Sequence, residues 1–152
     1  LINYYFNKEI DNLIKNNIKI NIIGNLRNLP KNVRQTLIDS MKKTQKCNKI
    51  LVNLAINYGS KNEIIEAMRQ IQKKKLPIGI NNLQNNLYTK DTKDPDILIR
   101  TGGKKRLSNF LLWQMAYTEI YFIDKLWPDF KVADYIKIIN SFKKVKRNFG
   151  KV

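Results

Sequence analysis

Apolar residues along this chain recur with two periods. Across residues 1–17, Ile2, Phe6, Ile10, Leu13 and Ile14 are spaced by three and four, which predicts an amphipathic helix. Ile18, Ile20 and Ile22 then alternate with Lys19 and Asn21 until Gly24 stops the run, which predicts a strand. Pro30 suits a helix start, and Val33, Leu37, Ile38 and Met41 keep one apolar face to about Cys47. A second strand runs from Ile50 to Ile56 and ends in Asn57-Tyr58-Gly59-Ser60. The helix after it turns Ile64, Ile65, Met68 and Ile71 inward and runs out in three lysines before Pro77. Residues 76–94 are the loosest part, with four asparagines around a short helical pattern. Asp96 to Arg100 reads as a compact strand, 109–117 as a helix, 119–123 as a strand and 131–147 as a basic closing helix.

Strand and helix alternate with short connections and no repeat or dividing linker. The expected fold is α/β, a central, mainly parallel sheet flanked by helices, over 1–152 as a single domain. Leu1 is not a methionine and falls inside a helical pattern, so the reading expected is an excerpt, incomplete at the amino terminus, from a longer protein. Composition narrows the classes. A hydrophobic fraction of 43% is too high for a disordered chain. One cysteine and no histidine exclude a disulfide framework, thiolate or imidazole zinc sites, and histidine-dependent triads within this chain. No apolar run approaches the roughly 20 residues of a membrane-spanning helix. The net charge of +17 invites an anionic partner. Its lysines are scattered and no arginine stripe carries interleaved aromatics, so a smaller anion, a diphosphate or an anionic membrane surface, is expected rather than nucleic acid.

Residues 94–130 stand apart: lysine and asparagine thin out, and both tryptophans, Trp113 and Trp127, lie there. An apolar strand leads to Arg100, Thr101, Gly102 and Gly103, then Arg106, Ser108 and Asn109 open the expected helix. In open α/β sheets ligands sit beyond the carboxyl ends of strands. Paired glycines let backbone amides approach an anion, a helix start offers more, and two guanidinium forks with a hydroxyl complete a phosphate or diphosphate cradle. The same letters also describe a plain Gly-Gly turn with two surface arginines and a serine cap. Neither nucleotide glycine motif, GxxxxGK[ST] or GxGxxG, is present.

The longer string, Asp96-Ile97-Leu98-Ile99-Arg100-Thr101-Gly102-Gly103 and then Arg106-Leu107-Ser108-Asn109-Phe110-Leu111-Leu112-Trp113-Gln114, closely resembles the cis-prenyltransferases, the family of undecaprenyl and dehydrodolichyl diphosphate synthases. Tyr117, Glu119, Phe122 and Trp127-Pro128-Asp129-Phe130 follow at the family's spacing, and the likeness reaches Ile23-Gly24, Asn57-Tyr58-Gly59 and Arg147-Asn148-Phe149-Gly150. The resemblance implies condensation of isopentenyl diphosphate onto an allylic prenyl diphosphate to give a long-chain polyprenyl diphosphate. It implies an isopentenyl diphosphate site of Arg100, Arg106 and Ser108 with Gly102 and Gly103, and Mg²⁺ held with the help of Glu119. It places Asn57 beside the active site, Arg147 near a neighbouring subunit's phosphate, and helix 1–17 along a hydrophobic product tunnel. It further implies a homodimer formed through 109–130 and the closing helix, working from the cytoplasm at a membrane surface such as that of the endoplasmic reticulum.

Several positions depart from the family pattern. The amino-terminal Asp-Gly-Asn-Gly-Arg-type string, whose aspartate is the catalytic one, does not occur in this sequence, so no catalytic residue is expected here and the stretch alone is expected not to turn over. Lys104 stands where the family usually has Glu, Ser60 replaces a second glycine, Lys61 takes a frequent arginine's place, and Asn148 occupies the second arginine of the Arg-Arg-Phe-Gly ending. Two rivals remain: a non-catalytic partner subunit of a two-subunit prenyltransferase, which would have no need of Arg100 and Arg106, and a basic nucleic-acid-binding module.

Overall fold

The computed structural model describes residues 1–148, and within them the chain forms α-helices and parallel β-sheets in two compact units, Leu1–Thr89 and the chain from Lys90 onward. Phe149 and Gly150, the end of the resemblance, lie outside the described residues.

In the first unit, α1 (Ile2–Lys15), β1 (Ile18–Ile23), α2 (Lys31–Lys43), β2 (Ile50–Ala55), α3 (Ser60–Lys73) and the short α4 (Ile80–Gln84) follow in order. The strands β1 and β2 pair in parallel, Ile18 opposite Ile50 through Ile23 opposite Ala55. Ile10, Ile20, Ile23, Leu37, Ala67 and Ile71 are buried and form the core, but of the inward face expected for α3 Ile65 and Met68 are each 48% exposed, and Ser60, Glu63 and Ala67 take the buried positions beside Ile71. Among the described residues β1 pairs with β2 alone, and along its other edge Ile20 N–H donates to Thr44 Oγ1 at 3.1 Å and Ile22 N–H to Met41 Sδ at 3.4 Å. The helix ends at Lys43, with the fully buried Thr44 as its C-cap, rather than near Cys47. Glu63, buried in the first turn of α3, accepts from the Tyr58 hydroxyl and from Tyr88 N–H at 2.8 Å, tying the end of the unit to the helix.

In the second unit, β3 (Ile97–Arg100) and β4 (Glu119–Phe122) pair in parallel, Ile97 opposite Glu119 and Arg100 opposite Phe122, and α5 (Val132–Phe142) follows. The parallel sheets are thus two pairs, β1–β2 and β3–β4, each within its own unit. Two helix predictions fail here. Residues 109–117 are a succession of turns, because Ser108, Asn109 and Leu111 carry φ of 51°, 63° and 44° and a left-handed residue cannot continue a right-handed helix. The closing helix ends at Phe142 rather than at 147. Arg147 instead reaches back to donate to the Asp96 carboxylate and, at 2.9 Å, to Tyr117 O, with its guanidinium 5.5 Å from the Phe142 ring centroid. At the start of α5 the Asp134 carboxylate accepts from Lys125 Nζ at 2.8 Å and from Lys131 N–H at 2.9 Å. Those two donors, the lysine ammonium first, hold its carboxyl below the usual carboxylate range. Among the described residues no helix is long and apolar enough to cross a membrane.

The tightest backbone constraint is Gly24, with φ of +126° and a position where an added Cβ would lie 2.1 Å from Ile56 O. A Gly24→Ala substitution meets both a forbidden backbone angle and overpacking. It is expected to destabilise the fold by about 2–4 kcal/mol, read as a shift in the urea midpoint.

Candidate anion site

Arg100 closes β3, so its side chain stands where the parallel pair opens into loop, the end of an α/β sheet at which ligands gather. The following turn is held by the backbone. Ile123 N–H donates to Arg100 O at 2.8 Å, Gly103 N–H to Ile123 O at 3.0 Å and Gly102 N–H to Lys125 O at 2.8 Å. Gly102 and Gly103 have φ of +85° and +68°, so glycine is needed for the backbone angle. Crowding is not the reason, since a Cβ on Gly103 would meet Asp124 Oδ1 at an ordinary 3.4 Å. Because both amides are spent on carbonyls, the glycines shape the turn and the donors for an anion are side chains.

Those side chains converge. Arg100 Nη1 donates to Ser108 Oγ at 3.1 Å and to Arg106 O, folding the loop back over the strand end. A cavity of about 280 Å³ results, lined by Arg100, Arg106 and Ser108 together with Leu98, Ile99, Leu107 and Phe110. Ser108 serves as an acceptor for Arg100 from a left-handed backbone and does not cap a helix. No carboxylate lines the cavity. One part of its wall is cationic with a hydroxyl, the other hydrocarbon, so it suits a small phosphate-bearing molecule with a short apolar body. The apolar part is not announced by the sequence, where Leu98, Ile99 and Phe110 are only strand and helix positions; the fold-back brings them into the cavity lining.

The remaining candidates are not among the residues that line this cavity. Glu119 begins β4 opposite Ile97, three residues and thus about 10 Å along the pair from Arg100. A single carboxylate suits Mg²⁺ in donor type, since that ion takes one or two carboxylates plus phosphate oxygens. Its position does not bring such an ion to the Arg100 cavity within this unit, and no group of three or more His, Cys, Asp or Glu could hold a metal among the described residues. Arg147 is committed to Asp96, Tyr117 O and the Phe142 ring. Asn57, in the first unit, has φ of 49°; its Nδ2 donates to Asn25 O at 2.7 Å while its own carbonyl accepts from Asn25 N–H at 3.1 Å, a clasp across the ends of β1 and β2. It borders a polar cavity of about 250 Å³ that Asn28, Asn62, Glu66, Arg69 and Tyr88 share. There the Gln70 amide and the Arg69 guanidinium hold the Glu66 carboxyl below its usual range, and burial raises the Tyr88 phenol.

The arginine-lined, half-apolar cavity thus stands at the carboxyl end of a parallel strand in an α/β fold. The chain belongs to the undecaprenyl diphosphate synthase family of prenyltransferases: the family model described as "Putative undecaprenyl diphosphate synthase" matches residues 1–150. The isoprenyl transferase of Rickettsia bellii is 45% identical over 152 residues, covering 99% of this chain and 67% of that protein. That of Clostridium tetani is 42% identical over 159 residues, covering 100% and 62%. A crystal structure described as a probable undecaprenyl diphosphate synthase from Campylobacter jejuni matches with a TM-score of 0.90 at 40% identity, covering 97% of this chain and 70% of that one. Lavandulyl diphosphate synthase from Lavandula x intermedia, solved in complex with dimethylallyl diphosphate, matches with a TM-score of 0.91 at 31% identity, covering 99% and 68%. The chain therefore spans about two-thirds of the length of the curated relatives it matches.

With pyrophosphate as probe, Ser108→Ala is expected to weaken binding by about 1 kcal/mol, the typical worth of a hydrogen bond. Glu119→Gln, in metal-free buffer, is expected to leave the affinity within about twofold, because about 10 Å of strand separates it from the cavity. Isothermal titration reads both.

Proposed function

We propose that the protein is a cis-prenyltransferase that condenses isopentenyl diphosphate with an allylic prenyl diphosphate, repeatedly, to build a long-chain polyprenyl diphosphate. One observation carries the reading: Arg100, Arg106 and Ser108 share a cavity of about 280 Å³ with Leu98, Ile99, Leu107 and Phe110. Isopentenyl diphosphate has that division, a dense anion joined to five apolar carbons. Solution of a family member of the same fold with dimethylallyl diphosphate, another five-carbon diphosphate, supports the choice of ligand size.

In the reaction the allylic C–O bond breaks and diphosphate leaves with the electron pair. The terminal double bond of isopentenyl diphosphate attacks the allylic carbon, and the new double bond forms as a proton leaves C2 with cis geometry. In this scheme the two arginines and Ser108 fix the building block by its diphosphate, which turns a meeting of two substrates into reaction between held partners. The hydrocarbon wall keeps water from the carbocation. The aspartate motif of the family does not occur in these 152 residues, so the stretch by itself binds the building block and does not turn it over. A non-catalytic partner subunit is the weaker reading, since such a subunit needs no cavity lined by two arginines.

A second copy of the chain is proposed to cover the apolar surface before and along α5. Leu126, Trp127 and Val132 are 63%, 73% and 74% exposed, and Tyr135 and Ile136 extend the same helix face. Trp127 already stacks on Phe130 at 6.1 Å between ring centroids, which stiffens the patch.

Arg100→Ala and Arg106→Ala are each expected to weaken isopentenyl diphosphate binding by about 1.5–3 kcal/mol, the range for hydrogen bonds to charged groups. Isothermal titration in which both variants bind like wild type removes the assignment. Val132→Glu with Ile136→Glu is expected to shift the protein from dimer to monomer in sedimentation velocity. A sedimentation coefficient unchanged by the pair rejects this surface as the interface.

A further inference from the structure

Between the turn glycines and the cavity lie two lysines that no described contact accounts for. Gly103 is fastened by its amide to Ile123 O, and Arg106 by its carbonyl to the Arg100 guanidinium. Only Lys104 and Lys105 separate these anchors, both are exposed, and neither enters an ion pair among the described residues. With consecutive Cα atoms about 3.8 Å apart, neither lysine backbone strays more than one residue from a fixed point. The Lys105 ammonium therefore stays within about 10 Å, and that of Lys104 within about 14 Å, of the Arg106 Cα beside the cavity, reaches set by one and two Cα steps plus a lysine side chain. The neighbouring charges leave this excess in place. Asp124, exposed beside Gly103, offsets one positive charge, Lys125 is occupied by Asp134, and no carboxylate lines the cavity.

We infer that Lys104 and Lys105 form a cationic rim that selects ligands by their total phosphate charge, favouring a diphosphate over a monophosphate, and makes capture depend on ionic strength. The inference rests on the diphosphate-site reading above and adds to it which residues set charge selectivity. The rim acts through its field and not through contact. At about 9 Å in water, one lysine attracts a ligand of about three negative charges enough to change affinity about twofold at 0.15 M salt and about fivefold at 0.01 M. Two lysines multiply to about fourfold and about 25-fold, and a monophosphate ester with about two charges gains about threefold and about tenfold.

The test compares wild type, Lys104→Gln/Lys105→Gln, and Lys42→Gln/Lys43→Gln, the last removing the same charge from the end of α2. Isothermal titration with isopentenyl diphosphate and isopentenyl monophosphate is run at 0.01 M and 0.15 M salt, after circular dichroism melts confirm that the variants fold alike. The rim variant is expected to bind the diphosphate about 25-fold more weakly at low salt and to lose about two- to threefold of its preference over the monophosphate, with the α2 variant near wild type. Equal losses in both variants overturn the inference in favour of net charge, and a rim variant that binds like wild type at low salt overturns it outright. Absence of diphosphate binding by wild type at either salt overturns the site reading itself, which sets that failure apart from the others.

Discussion

The second unit depends on one side chain performing two tasks. Arg100 ends a strand, and its guanidinium bonds the carbonyl of Arg106 and the hydroxyl of Ser108. These bonds hold the loop doubled back, and the doubling back leaves a cavity beside the same guanidinium. The loop carries three left-handed residues at a cost of about 1–2 kcal/mol each for an ordinary side chain, less for asparagine. Two hydrogen bonds from a charged donor, at about 1.5–3 kcal/mol each, are of the right size to offset it. A guanidinium suits the position because it has five N–H donors in a rigid plane, so some can hold the loop while others face the cavity. A lysine ammonium in the same place would have neither the spare donors nor the fixed directions.

Much of this was legible in the sequence, for reasons that differ by element. In the first unit α1 and α2 follow hydrophobic period because each buries one face against the core, whereas α3 buries Ser60, Glu63, Ala67 and Ile71 and leaves Ile65 and Met68 exposed, since the Glu63 bonds to Tyr58 and Tyr88 claim the inner face. At 109–117 pattern and packing disagree. Phe110, Leu111, Leu112, Trp113 and Met115 form an apolar run that reads as a helix, yet the chain must leave the carboxyl end of β3 and return to the amino end of β4 while presenting Ser108 to Arg100. Tertiary demand overrode local propensity there. The end of α5 is a similar case, where a salt bridge to Asp96 took Arg147 out of the helix. The glycine pair was read correctly as a necessity and wrongly in its purpose: glycine permits the angle, and the amides thereby freed go to Ile123 and Lys125. A glycine in the sequence permits an amide to be approached, and the fold decides which carbonyl takes it.

The candidate site was half visible for a related reason. Charged side chains near a strand end announce themselves, so Arg100, Arg106 and Ser108 could be picked out as a group. Leu98, Ile99, Leu107 and Phe110 could not, because an apolar residue that lines a cavity and one that fills a core have the same letters. The first unit shows the converse. Asn57, singled out as a polar residue at a strand end, clasps Asn25 through its amide and carbonyl while also bordering a polar cavity, so its position alone does not announce the structural duty.

Net charge says less about this protein than where the carboxylates have gone. Against the excess of lysine and arginine stand only 12 acidic residues. Several have structural duties: Asp96 fastens Arg147, Asp134 gathers Lys125 and the start of α5, Glu66 faces Arg69, and buried Glu63 joins Tyr58 to Tyr88. None of these lines the cavity at Arg100. A surface lysine on a helix is screened within about 8 Å by physiological salt and contributes little to any one ligand. Two lysines and an arginine within a loop fastened at both ends act on one small volume. The same residue type thus carries different weight in the two places, and what separates them is the backbone geometry imposed by two glycines and one guanidinium.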